Sequence, residues 1–308
     1  MKFLQMAKRL ALFLLVNLLV MLTITFLLSL FGVNRYFPQG GYGGLMIFCF
    51  IWGMGGAFIS LALSRIMAKW MMGVEIIPPD TNQPALRGLV ETVHDLARRA
   101  GLKTMPQVGL FQSAEVNAFA TGPSRSRSLV AVSTGLLQTM RPNEVTGVLA
   151  HEVAHIANGD MVTMTLIQGV MNAFAMFLAR VLAFAVTQAM RSRDERDSSG
   201  GGLMHFILVQ VFEVVFLILG SIVTAWFSRQ REFRADAGGA AYAGQANMVG
   251  ALQALQRQFD PRLNAAEAKH AAGFQAMKIS GKQGGFLALF ATHPPLEVRI
   301  ARLESAKI

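Results

Sequence analysis

The chain has 308 residues, 53% of them apolar and 15% charged, with a formal net charge of +10. Soluble domains carry about a quarter charged residues, so this balance argues against an ordinary soluble enzyme and for a membrane protein. No basic stripe interleaved with aromatics occurs, and the Lys and Arg residues gather at the edges of apolar runs. Nucleic acid is therefore not an expected partner; the basic excess fits the positive-inside rule and attraction to an anionic lipid bilayer. The single cysteine, Cys49, lies inside an apolar run, so no intrachain disulfide can form.

No charge occurs from Leu10 to Asn34, a length that crosses a hydrocarbon core of ~30 Å. Lys2, Lys8 and Arg9 precede it and no small-residue cleavage site ends it, so residues 1–34 read as a retained signal anchor and first span. A Gly/Pro turn, Arg35 to Gly44, leads into a second uncharged run, and residues 41–66 read as the second span. Gly53, Gly55 and Gly56 in that run could admit a close helix contact.

Residues 67–160 have the texture of a soluble domain. Thr81 to Pro84 opens a predicted helix with Leu86, Leu89, Val90, Val93 and Leu96 on one face, ending at Gly101; His94 on it reads as a surface residue. Three β-like runs follow, at Gln107–Phe111, Val116–Ala120 and Leu129–Ser133, with Gly122 to Arg125 as the expected hairpin turn. Asn117 has two readings, an ordinary strand residue or part of a substrate-aligning edge.

The predicted helix from Asn143, its expected cap, to Gly159 carries His151-Glu152-Val153-Ala154-His155. Positions i and i+4 share a helix face, so both imidazoles can aim at one point. Glu152 projects where it could reach a metal-bound water. Two imidazoles do not fill the tetrahedral shell of zinc, so a third ligand and a water are needed. The bland alternative is a polar face with two surface histidines. Downstream, Glu232 and Asp236 share a helix face, so one carboxylate could ligate while the other orients an imidazole.

Residues 161–227 read as a transmembrane helical hairpin, the alternative being two helices that lie in the interface or bury in the catalytic domain: Met161 to Met190 is apolar except for Arg180, and Leu203 to Phe227 except for Glu213. Both charges lie equally far from the loop centre, which puts them near mid-bilayer, where pairing across the hairpin is the cheapest arrangement. The competing reading is that each side chain snorkels or turns to another domain separately. The hairpin must return the chain to its starting side for Glu232 to meet His151. With both termini in the cytoplasm, Lys2, Lys8, Arg9, Arg65, Lys69, Arg229, Arg231 and Arg234 lie inside. Arg35, Arg191, Arg193 and Arg196 then lie outside. Residues 228–308 are again soluble in texture, with the Glu232 helix continuing from the last span. An amphipathic helix follows from Ala246 to Phe259. His270 lies in a polar stretch, and Thr292-His293-Pro294-Pro295 opens a terminal helix.

Through Val116 to Ala120, His151 to Asp160, Glu232 to Asp236 and Thr292 to Pro295, the chain resembles the HtpX-type integral-membrane zinc metalloproteases. These are relatives of the CAAX prenyl endopeptidase, and the likeness runs nearly end to end. It implies that His293 and Arg299 lie over the metal and contact the substrate carbonyl, and that Asn117 contacts substrate. It also implies damaged or misfolded membrane proteins as substrates.

The expectation is an α+β, zincin-like metalloprotease domain in two segments, 67–160 and 228–308, fused to about four transmembrane helices. One Zn2+ per chain would be held by His151, His155 and Glu232, with Asp236 behind an imidazole. Glu152 would be the general base, and His293 and Arg299 the oxyanion stabilisers. The setting would be the bacterial inner membrane, crossed several times, with the catalytic domain and both termini cytoplasmic. Two rivals stand beside it. One is an inactive zinc scaffold, against which the intact Glu152 argues. The other is a transporter using Arg180 and Glu213, which leaves the soluble segments unexplained.

Overall fold

The computed structural model describes residues 42–190, 200–259 and 289–306. The expected first span, the loop after Met190 and His270 lie outside the described residues. The chain divides into two compact units, one of Met1–Ala57 with Ile167–Ile222, the other of Phe58–Leu166 with Val223–Ile308.

The described residues of the first unit are helical. It contains most of α1 (Tyr42–Met71), α5 (Asp160–Met190) and α6 (Gly200–Ala243). Among the described residues these three helices are long and apolar enough to cross a membrane. At Gly53 a Cβ would lie 2.5 Å from the backbone nitrogen of Ala173, so this glycine permits a close approach of α1 and α5. Nothing lies within 4 Å of that position at Gly55 or Gly56, so the expected glycine contact is confined to one residue. Arg180 Nη1 stands 3.5 Å from Glu213 Oε2 and also donates to the Met176 carbonyl at 2.8 Å. The two hairpin charges therefore meet as a pair.

The second unit is built on a four-stranded sheet of order β1-β2-β4-β3, from β1 (Glu75–Ile76), β2 (Gln107–Phe111), β3 (Ala118–Ser124) and β4 (Arg127–Ser133). β2 and β4 run parallel and β3 closes antiparallel on β4 as an edge strand. The turn between them lies at Arg125–Ser126 rather than at Gly122 to Arg125. Gly122 instead sits in a register irregularity at φ 142, with the Arg127 carbonyl where a Cβ would be. Pro123 costs no ladder bond on an edge strand, so the Gly-Pro pair is absorbed as a bulge.

α2 (Pro84–Arg99) and α4 (Pro142–Asn158) pack on the sheet; Val93, Val130, Val132, Leu149, Val153 and Ile156 form the core between them. His94 is half-buried, its Nε2 3.2 Å from the Pro106 carbonyl. Ser133 caps α3 (Thr134–Thr139). The cap of α4 is Arg141, not Asn143: Pro142 starts the helix, and the Arg141 N–H donates to Glu144 Oε2 at 2.8 Å. A second cluster joins α7 (Gln245–Phe259) to α8 (Leu296–Ser305) through Met248, Leu252, Leu255, Leu296, Ile300 and Leu303. It fixes the segment that carries His293 and Arg299.

Candidate metal centre

α4 presents His151 and His155 one turn apart, their rings 4.6 Å between centroids, and Gly159 ends the helix at φ 72. α6 crosses beside them because Gly239 has no side chain: a Cβ there would meet Met248 Sδ at 2.8 Å and the His151 nitrogen at 3.2 Å. This approach brings Glu232 and Asp236, one turn apart on α6, to the two imidazoles. Glu232 Oε2 is 3.3 Å from His151 Nε2, and Glu232 Oε1 is 3.4 Å from His155 Nε2. The two Nε2 atoms lie 3.1 Å apart. All three ligand atoms fall within 4.8 Å of one another, and no other described group of His, Cys, Asp and Glu has this arrangement.

Each ring is held from behind by a carboxylate. His151 Nδ1 is 2.9 Å from Asp236 Oδ1, and His155 Nδ1 is 2.7 Å from Asp160 Oδ2. A carboxylate only accepts, so each Nδ1 carries a proton and each Nε2 is the ring atom that faces the common point. Asp236 is the residue expected from the sequence. Asp160 was not singled out there, although an acid at the first position of a helix after a left-handed glycine is a recognisable signal.

Arg299 is 1% exposed, with Nε 2.8 Å and Nη2 2.6 Å from the two oxygens of Asp236. Its third nitrogen, Nη1, is 3.6 Å from Glu232 Oε2. The guanidinium thus lies chiefly behind His151, committed to a carboxylate. His293 Nδ1 is 2.9 Å from Glu232 Oε2 without hydrogen-bond alignment, and Arg231 Nη2 donates to Glu232 Oε1 at 3.1 Å. Arg231, unlike His293, was not anticipated from the sequence.

The electrostatics show a site short of positive charge. Burial alone would lower the pKa of His151, but the hydrogen bonds it donates to Asp236 and Glu232 push it up to about 9. Burial would raise the pKa of Glu232, yet His151, His155 and His293 hold it well below the usual carboxylate range. Asp236 is likewise opposed by burial and brought down to about 2 by Arg299 and His151. Glu232 Oε2, although buried, has no aligned hydrogen-bond partner. Two imidazole Nε2 atoms and an orphaned carboxylate oxygen converging on one point are the donor set of a borderline-soft divalent cation.

His151, His155 and Glu232 open onto a cleft of about 300 Å³ lined by Asn117, Phe119, Glu152, Met248, Leu252 and His293, among others. Asn117 sits one residue before β3, its N–H donating to Ser133 Oγ and its carbonyl accepting from Ser133 N–H. The free edge of β3 therefore lies along the cleft. Glu152 and all the sequence-predicted site residues are brought to this one place.

Residues 85–307 match the family model described as peptidase family M48. Protease HtpX of Escherichia coli K12 is 48% identical over 301 residues, covering 97% of this chain and 98% of that protein. A Protease HtpX homolog of Bacillus licheniformis is 49% identical over 309 residues, covering 97% and 100%. Among solved structures, that of S. mikatae Ste24p is similar with a TM-score of 0.56 at 18% identity. The match covers 94% of this chain and 65% of that one, a likeness of fold.

Proposed function

Because this chain belongs to peptidase family M48 and is a membrane metalloprotease, we propose that it hydrolyses peptide bonds of membrane proteins with one zinc ion held by His151, His155 and Glu232. The convergence of those three donors, each imidazole backed by a carboxylate, is the observation that carries this reading. Bound there, zinc supplies Lewis acidity, polarising the scissile carbonyl and making a water acidic enough to lose its proton near neutral pH.

The chain's own groups do the rest. Glu152 takes the proton on a carboxylate oxygen and passes it to the departing amine nitrogen. Asp160 and Asp236 hold the Nδ1 protons of His155 and His151, fixing tautomer and ring angle. Arg299 positions Asp236 and offsets its charge. His293, at the cleft, donates to the carbonyl oxygen as that atom gains charge. The free edge of β3, with Asn117 at its start, pairs with an extended substrate backbone.

The setting follows from charge. Lys69 at the end of α1, and Arg229, Arg231 and Arg234 beyond the apolar part of α6, flank the second unit with cations. They favour a cytoplasmic catalytic domain, segments 67–160 and 228–308, on the inner membrane of a bacterium. Similarity to Protease HtpX supports a role in quality control of damaged or misfolded membrane proteins under stress. Metal analysis and casein cleavage by the purified full chain test the reading, with Glu152→Gln as control. Zinc near one per chain and cleavage lost only in the variant are expected; undiminished cleavage by Glu152→Gln would reject the mechanism.

A further inference from the structure

Two helices bring the metal centre out of an exposed apolar surface, and each measures its height. On α6 the exposed large hydrophobics end at Trp226 (51%) and Phe227 (40%), and Arg229, Gln230 and Arg231 follow. Glu232 stands about six residues past Trp226, or ~9 Å at ~1.5 Å per residue along one unbroken helix. α5 gives a second measure through different residues. Its first residue is Asp160, which holds His155, and its first exposed large hydrophobic is Leu166 (40%). That interval is again about six residues, or ~9 Å.

The apolar stretches that begin at these marks are alike. From Leu166 to Met190 and from Leu203 to Phe227 each helix offers about 25 residues, or ~37 Å, enough for a hydrocarbon core of ~30 Å and its borders. An exposed indole at the end of such a stretch, followed by arginines, marks the membrane interface where the hydrocarbon ends. α1 ends in the same way, with Trp70 (86%) beside Lys69. Length, indoles and flanking cations together fit lipid, and not a second protein, as what covers this surface.

We infer that Leu166, Trp226 and Phe227 lie at the hydrocarbon boundary of a bilayer, so that the metal centre stands within ~9 Å of it and cuts juxtamembrane segments of membrane-anchored polypeptides. Each headgroup layer is ~5–7 Å thick, so the site sits at its outer edge, and any helix tilt only lowers it. Extended peptide covers ~3.3 Å per residue, so about three residues bridge from a span's end to the reacting bond. The inference rests on the protease reading and narrows its substrate class.

The test reconstitutes the full chain in phosphatidylcholine–phosphatidylglycerol vesicles with single-span substrates. Each carries a casein-derived stretch behind a helical Glu/Ala/Lys spacer of about 4, 12 or 20 residues, lifting it ~6, ~18 or ~30 Å. Cleavage should fall at least about tenfold from the shortest spacer to the longest. Equal rates, or faster cutting with the longest, overturn the depth assignment. The same stretch supplied free separates the two claims: if it is cut while the spacer profile is flat, only the depth fails. If neither free nor anchored stretch is cut, the protease reading fails and this inference with it. A second measurement needs no turnover. With Trp52→Phe and Trp70→Phe leaving Trp226 alone, a nitroxide near the headgroup end of the acyl chain should quench more than one near its terminus. The reverse order, or no quenching, overturns the inference.

Discussion

Among the described residues, the charge cluster of the helical unit and that of the metal centre are built on opposite terms. In the first unit Arg180 and Glu213 face each other at 3.5 Å, and the guanidinium also donates to a helix carbonyl. One positive and one negative group meet, and the charges cancel within the pair. In the second unit Glu152, Asp160, Glu232 and Asp236 are all buried, against one buried guanidinium, Arg299. Arg231 and Arg234 approach only from the side, at 3.1 Å and 3.5 Å. A closed pair is the ordinary answer to burying charge, whereas an excess of carboxylate with lone pairs converging on one point calls for a cation. The difference separates a structural polar cluster from a chemical one without reference to any family.

Changing the chemistry while leaving the open cluster intact gives the largest effect. Glu152→Gln keeps the shape and the three ligands but removes the proton acceptor, so turnover should fall by roughly 10²–10⁴-fold. Zinc content, read by atomic emission, should not change. His293→Ala comes next, at roughly 10²–10³-fold in kcat with little change in KM, because its contact to the carbonyl oxygen strengthens in the transition state. A rise in KM alone would mean that His293 only binds substrate.

The two halves of the metal cluster can then be set against each other. Asp236→Ala and Asp160→Ala should each weaken zinc by roughly 10–100-fold, measured by competition with a chromophoric chelator. Their effects on folding should differ. Loss of Asp236 strands the fully buried Arg299, a defect of ~3–5 kcal/mol, and should lower Tm sharply in the metal-free protein. Loss of Asp160 strands no buried cation, because Arg234 beside it is exposed. Equal shifts in Tm would show that Arg299 does not depend on Asp236.

Much of this cluster was legible in the sequence because its spacing is helical. His151 and His155, and Glu232 and Asp236, are each i, i+4 pairs, and Gly159 is a local stop signal. Asp160 escaped because its contact is made by the chain turning at Gly159, which no periodicity encodes. The burial of Arg299 escaped for a related reason: sequence places it near the site but does not say which side of Asp236 it approaches from. β1 is two residues long and exists only through pairing with β2, so it has no pattern of its own. The Gly-Pro signal near Gly122 misplaced a turn because an edge strand can hold the same residues in a bulge.

The closed pair supplies the smallest effect and the sharpest control. Arg180→Glu sets two carboxylates together inside helices long and apolar enough to cross a bilayer, and Glu213→Arg sets two guanidiniums there. Either leaves charge uncompensated, at a cost of at least ~2.5 kcal/mol on insertion scales. Steady-state accumulation in the membrane should drop several-fold, since even ~1–2 kcal/mol changes abundance on that scale. The double reversal restores one charge of each sign at the same 3.5 Å contact and should recover most of the loss. Specific activity per inserted chain should stay near that of the unaltered protein throughout, because no ligand or Nδ1 partner is touched. A double reversal that accumulates as poorly as the worse single one would show that the two side chains do not support each other. A double reversal that inserts well but is inactive would break the comparison from the other end, by tying this pair to the chemistry of the cleft.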